Sequence, residues 1–173
     1  MDINTILNQI DLGAMALPEF QRGYVWNRNQ VRDFMSSLYR RYPVGGLLVW
    51  VTKTEGADAR GDHPLPAGNV ELILDGQQRM TSLYGIIRGT PPHFFEGTAS
   101  AFTDLYFNLE DETFEFYGPV KMGGDPRWIS VTELMQHNLG PFIGRIYQNE
   151  TLQPHAEEYI LSLIHISEPT RPY

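Results

Sequence analysis

Three short segments carry the side chains with the most chemical content. The first is Leu74–Leu83, LDGQQRMTSL. It sets Asp75, Gly76, Gln77, Gln78 and Arg79 between the apolar run VELI and a helix-like stretch. Two readings of that junction stand side by side. In one, Asp75 is an N-cap and Gln78, three residues on, completes a capping box. In the other, the helix start takes an anionic ligand, because its first N–H groups are free and the positive end of the dipole lies there. Arg79 then adds a bidentate donor, and Asp75 holds Mg2+ or orients a water. At helical spacing, Met80, Leu83, Tyr84 and Ile87 form the apolar stripe, and Gln77 and Arg79 flank it on opposite sides. The Walker pattern GxxxxGK followed by Ser or Thr is absent.

The second segment is Leu17–Trp26, LPEFQRGYVW, which sets Glu19, Gln21 and Arg22 among Phe20, Tyr24 and Trp26. Aromatic rings interleaved with an arginine can stack a base and grip a phosphate. They can equally anchor a loop to the core while the polar residues face water. The third segment, YPVGGLLVW, places Gly45 and Gly46 where a ligand could approach the backbone closely. The same pair serves as a helix stop before a strand. The five histidines, His63, His93, His137, His155 and His165, have no metal-ligand spacing, and the chain has no cysteine. No GxSxG, Ser-His-Asp or HNH-like pattern is present.

These segments need a scaffold, and the chain is long enough to supply one. Its 173 residues suit one domain with a real core. No stretch approaches the roughly 18 apolar residues of a membrane helix, so no membrane partner is expected. The acidic, amphipathic start MDINTILNQI is not a secretory signal. A reducing cytoplasm is the expected location. The net charge of −8 argues against a simple DNA-coating surface. The charge is uneven, however: residues 1–50 carry five arginines against four acidic residues. An anion-binding face near the N-terminus is compatible with an acidic whole.

The spacing predicts a helix over Ile3–Ile10, a short strand at AMALP and an extended loop at EFQRGYVW. A helix follows from Arg28 to about Tyr42. Asn27 and Gln30 form its capping box, Trp26 and Val31 its staple, and Pro43 its stop. Val31, Phe34, Met35, Leu38 and Tyr42 make its buried stripe. GLLVWV reads as a buried strand, EGADARGDHPLPAGN as a loop and VELIL as a second strand. Gly76–Arg88 reads as the third helix, and DLYFNLE with TFEFYG as a hairpin about Asp111-Glu112. Ser130 and Glu133 form a further capping box, with Ile129 and Leu134 at its staple positions, and after that helix helical pieces continue to about Ile160. Helices interleaved with few short strands give an α+β domain with a small mixed sheet and flanking helices.

The last thirteen residues, Leu161–Tyr173, read LSLIHISEPTRPY. They resemble the translation of a transposon-type sequencing-library adapter. On that reading, residues 1–160 are the natural, truncated part and 161–173 a non-native tail. That tail is expected to add nothing to stability, and His165 is not a catalytic candidate.

Taken together and in this order, LPEFQRGYVW, YPVGGLLVW and LILDGQQRMTSL resemble the N-terminal domain of GmrSD-type (type IV) restriction endonucleases and related phage-defence proteins. WISVTELM fits the segment downstream, and the likeness spans roughly residues 2–160. The resemblance implies a ParB/sulfiredoxin-like fold that binds and hydrolyses a nucleoside triphosphate, with Mg2+, and couples this to recognition of modified DNA. It implies Asp75, Gln78 and Arg79 as catalytic residues, with Asp75 on the metal. Gln21, Arg22, Gly45, Gly46, Gly76 and Gln77 are implied as nucleotide contacts. Gly46 stands where serine is common, so one phosphate-side hydroxyl is missing. In longer relatives an HNH-type nuclease domain follows. Nothing here matches it, so no nuclease activity is expected of this chain alone. Three functions stay open: a triphosphate-hydrolysing sensor, a non-catalytic nucleotide- or DNA-binding module, and a partition-like DNA-binding regulator.

Overall fold

The computed structural model describes residues 2–61 and 64–168; Met1, Asp62, His63 and residues 169–173 lie outside the description. The chain begins with α1 (Ile3–Asp11), capped by Asp2, whose carboxylate accepts from Thr5 N at 2.8 Å. Ile6, Leu7 and Ile10 are its buried face, as the helical spacing requires. Then come β1 (Met15–Ala16), a loop, and α2 (Arg28–Tyr39). The Asn27–Gln30 capping box is formed in both directions.

Helix α2 stops three residues before the expected Tyr42, and proline is not the cause. Arg41 takes a left-handed conformation with φ +59°. Its N–H donates to Leu38 O at 3.0 Å, and Tyr42 N donates to Ser37 O at 2.8 Å. This pairing is a Schellman closure with arginine at the position glycine usually holds. It turns Tyr42 off the helix face, so Tyr42 is 57% exposed instead of buried.

The first sheet has the order β1-β3-β2, from β2 (Leu48–Lys53) and β3 (Asn69–Asp75). β1 runs parallel to β3 and β2 antiparallel to it, with a register shift at Leu48/Val49. The sheet is therefore mixed, as expected. β2 is its edge, not its centre: Leu48, Trp50 and Val51 are exposed where the apolar run predicted burial. The apolar run alone could not show that β2 has a neighbour on one side only.

Helix α3 (Gln77–Arg88) follows β3 directly. It faces two cores at once, with Leu83 and Ile86 in one and Tyr84 and Ile87 in the other. A second, antiparallel sheet, β5-β4-β6, is built from β4 (Leu105–Asn108), β5 (Thr113–Phe116) and β6 (Trp128–Ser130). The β4–β5 hairpin turns through Asp111 and Glu112, and the Asn108 side chain accepts from Glu110 N and Asp111 N. Helices α4 (Pro119–Met122), α5 (Val131–His137), α6 (Gly140–Gln148) and α7 (Ala156–Ser167) complete the α+β architecture. The Ser130 hydroxyl caps α5 by accepting from Glu133 N at 3.3 Å.

Helix α7 extends into the segment expected to be a passive tail. It runs through Ile160 to Ser167, and Leu163 and Ile166 are fully in the larger core. The Ser162 hydroxyl donates to Glu112 at 2.8 Å. Residues 161–167 have the apolar spacing of a buried helix face, Leu163 and Ile166 being three apart.

Candidate functional site

The site is assembled where β3 hands over to α3. The last strand residue is Asp75, and Gly76 sits at the N-cap in a left-handed conformation, φ +93°. Only glycine adopts that conformation without cost. The expected Asp75 cap is therefore not made, and no side-chain oxygen caps the helix. Asp75 is still held in the strand's extended conformation, so its carboxylate points off the helix start to Arg79, at 3.2 Å, and to solvent. Among the described residues, nothing accepts from the backbone N–H groups of Gln77, Gln78 or Arg79; the first helical bond is Met80 N to Gly76 O at 3.0 Å. Three donors and the positive dipole end are thus left at a helix start.

Gln78 does not complete a capping box either. Its amide, 8% exposed, reaches the loop of the second segment. Oε1 accepts from Val25 N at 2.9 Å and Trp26 N at 3.3 Å, and Nε2 donates to Gly23 O at 3.2 Å. Gln77, equally buried, donates to Arg22 O at 2.6 Å. Its Oε1 is buried with no partner among the described residues. Gln21 returns the contact, donating to Leu74 O at 3.0 Å. Tyr24 adds a hydroxyl chain: it bonds Ser82 at 2.8 Å, and Ser82 donates to Gln78 O at 2.7 Å. Burial pushes the Tyr24 phenol up to about 12, so it remains a neutral donor.

Arg79 makes the corresponding bracket to the third segment. Nη1 donates to Val44 O at 2.6 Å, and Nη2 to Gly46 O at 2.8 Å and to Asp75. Gly45 lies flat on the guanidinium with φ +85°, and a Cβ there would meet Nη1 at 2.8 Å. Gly46 faces open space, with nothing within 4 Å of a Cβ position.

The sequence-predicted residues are therefore brought together, though with roles divided by geometry. Asp75 faces outward, whereas Gly76, Gln77 and Gln78 are buried and Arg79 is half-buried. Gln21, Gln77, Gln78 and Arg79 spend side-chain hydrogen bonds on fastening two loops. Gly45 and Gly46 lie beside Arg79. Arg22 is exposed, and its side chain has no hydrogen-bond partner among the described residues. Of the aromatics, Tyr24 packs on Phe95 and Phe102, and Trp26 on Phe34 at 5.4 Å, whereas Phe20 is 75% exposed. The loop is thus anchored by two rings and presents the third. Among the described residues no cluster of three or more His, Asp or Glu has a metal-binding arrangement. No described helix is long and apolar enough to cross a membrane.

A cleft of about 830 Å³ lies behind the first loop, not over the helix start. Glu19, Glu55, Asp58 and Glu96 line it, with Arg60 as its one basic residue. Four carboxylates repel an anionic ligand, so this cleft does not suit one. Sequence reasoning passed over Arg60 and Glu96. Arg60 sits in the Gly- and Pro-rich linker, where no periodicity marks a side chain as structural.

Comparison with known proteins gives two findings. Residues 3–165 match the family described as GmrSD restriction endonuclease, N-terminal domain. An uncharacterised protein of Methanocaldococcus jannaschii is 33% identical over 118 residues, a match covering 58% of this chain and 19% of that protein. The chain thus corresponds to about a fifth of the length of that relative.

Proposed function

This chain belongs to the family of N-terminal domains of GmrSD restriction endonucleases, and from that membership we propose that it binds and hydrolyses a nucleoside triphosphate as the sensor module of a modification-dependent phage-defence protein. The observation that carries the proposal is the helix start: three first-turn N–H groups without acceptors, beside an exposed carboxylate and between two fastened loops. Helix starts of this kind suit phosphate. Arg22 supplies the positive charge on one side, and Gly46 leaves the other side open for backbone approach.

The residues divide the work. The N–H groups of Gln77, Gln78 and Arg79 bind phosphate oxygens. Gln77 and Gln78 hold the Arg22 loop, and Arg79 holds the Gly45-Gly46 loop and orients Asp75. Asp75 is the one carboxylate of the motif free to act. A single exposed carboxylate fits Mg2+, which is commonly held by one or two carboxylates together with substrate phosphates. Asp75 would hold that ion, whose chemistry is to neutralise phosphate charge. In the whole protein, modified DNA and an HNH-type nuclease domain are the proposed partners. The ParB/sulfiredoxin-like relationship belongs to the same proposal.

One observation favours the second reading, a binding module without turnover. Gln78 and Arg79 are committed to loop contacts, which leaves only Asp75 for acid–base or metal chemistry. Phosphate release from each nucleoside triphosphate with Mg2+, beside equilibrium binding, separates the two. Wild-type turnover that falls at least a hundredfold in Asp75→Asn supports hydrolysis. Binding without turnover supports the module. Neither binding nor turnover refutes both. The Asp75 carboxylate is 74% exposed and Arg79 keeps its bonds to Val44 O and Gly46 O without it, so Asp75→Asn should leave the fold intact.

A further inference from the structure

We propose that Arg60 is the positioning residue of the first loop: it fixes the backbone from which the Arg22 side chain leaves. The consequence for ligand binding rests on the nucleotide reading above, while the positioning itself does not. Arg60 comes from the linker between β2 and β3. That linker runs beside the first loop, with Arg60 N donating to Leu17 O at 2.8 Å, Glu19 N donating to Asp58 O at 3.1 Å, and a bridge between Pro18 and Ala59. The guanidinium closes the arrangement. Nη2 donates to Gln21 O and, at 3.3 Å, to Glu19 O, while Nη1 pairs with Glu96. The backbone of Glu96 in turn accepts from Tyr24 N at 2.7 Å.

The contacts on the other side of the loop complete the argument. Gln77 holds the carbonyl of Arg22, and Gln78 holds that of Gly23. Arg60 holds the carbonyl of Gln21. The peptide group before the Cα of Arg22 is therefore fixed from the cleft side, and the peptide group after it from the helix side. Both backbone torsions of Arg22 are set, and with them the direction of its Cα–Cβ bond, the root of an exposed guanidinium that has no partner among the described residues. The Nε of Arg60 is buried with no partner among the described residues, an unsatisfied donor within the brace. Lysine could pair with Glu96 or reach one carbonyl, but it has no fork to do both.

The test uses the full chain with Arg60→Ala, Arg60→Lys, Arg22→Ala and the Arg22→Ala/Arg60→Ala double variant. Trypsin cleaves after Arg22, so limited proteolysis with mass identification reads loop order without any nucleotide. Arg60→Ala is expected to speed cleavage after Arg22 roughly tenfold to a hundredfold, with sites outside the loop unchanged. Arg60→Lys is expected to lie between it and wild type, and it decides the matter alone if Arg60→Ala does not fold. Unchanged cleavage after Arg22, or acceleration at all sites in proportion, overturns the proposal. The second readout is the Kd of ATP and of GTP with Mg2+. Arg22→Ala and Arg60→Ala should each weaken binding, and the double variant should be no worse than Arg22→Ala. Additive losses overturn the route through Arg22. If wild type binds neither nucleotide, the nucleotide reading fails, and proteolysis alone decides the positioning.

Discussion

Gln78→Ala separates a clamp from a catalyst. The Gln78 amide makes three hydrogen bonds to backbone groups of residues 23–26, and the residue is 8% exposed. Its removal strips the partner from two N–H groups and leaves the Gly23 carbonyl only its 3.5 Å contact with Gln77. Orphaning a buried group costs about 1–3 kcal/mol. Val25 is exposed and Trp26 and Gly23 only half-buried, so water reaches part of this loop and the lower end applies. About 1 kcal/mol for each bond gives a loss of roughly 2–4 kcal/mol. For a chain of this size that corresponds to a fall of about 5–15 °C in Tm. Urea unfolding followed by tryptophan fluorescence and by circular dichroism measures the loss, since Trp26 reports on the loop itself. Gln78→Glu is the companion: it keeps the acceptor for Val25 and Trp26 but sets a carboxylate oxygen against Gly23 O, so it should lie between wild type and Gln78→Ala. A Gln78→Ala variant that melts within about 1 °C of wild type while losing turnover would refute the clamp and make Gln78 a chemical participant.

Gly45→Ala should cost about 1–2 kcal/mol for its left-handed backbone and loosen the Arg79 bracket, whereas Gly46→Ser, facing open space, should change Tm by less than a degree or two; thermal melts of both variants check this. Ending the chain at Ile160 removes Leu163 and Ile166, which are 0% and 2% exposed, and burial of about 1.5–3 kcal/mol each makes a Tm loss of roughly 6 °C or more the expected result. A truncated chain that melts like the full one would restore the view that the tail is passive. Hydrogen bonds from Tyr39 and Ser162 hold the Glu112 carboxyl below its usual value of 4.5, so its stabilisation is present above that pH and lost as pH falls through the lower, folded value. Glu112→Gln should therefore be less stable than wild type at pH 7, with the gap closing below pH 4.5 in melts taken across the acid range.

The elements that were legible in the sequence are those set by local chemistry. The Asn27–Gln30 capping box, the Ser130 cap, the apolar face of α1 and the Asp111-Glu112 turn each depend on residues within a few positions of one another. What could not be read depends on distant partners or on backbone torsions. An apolar run such as GLLVWV does not say how many neighbours the strand has. The Arg40-Arg41-Tyr42 run gives no sign that arginine closes a Schellman turn. Asp75 is a good cap by residue type, but Gly76 takes the left-handed conformation and with it the N-cap position.

The segment DGQQR shows most clearly why a motif can be recognised before its parts are understood. Residue type suggests that amides and a guanidinium at a helix start serve the ligand directly. Geometry gives three of them partners 33 to 55 residues away in the chain, in loops with no regular structure. A loop of glycines and a loop of polar and aromatic residues have little burial of their own and lose conformational entropy when ordered. Buried amides that mimic backbone partners offset that loss at the point where both loops meet the helix. The motif therefore fastens two loops to one helix start and leaves three backbone N–H groups there without acceptors among the described residues, with Asp75 paired to Arg79 and Arg22 exposed in the first loop. Substitutions in the glutamines should accordingly act on loop order, whereas substitution of Asp75 should leave loop order unchanged.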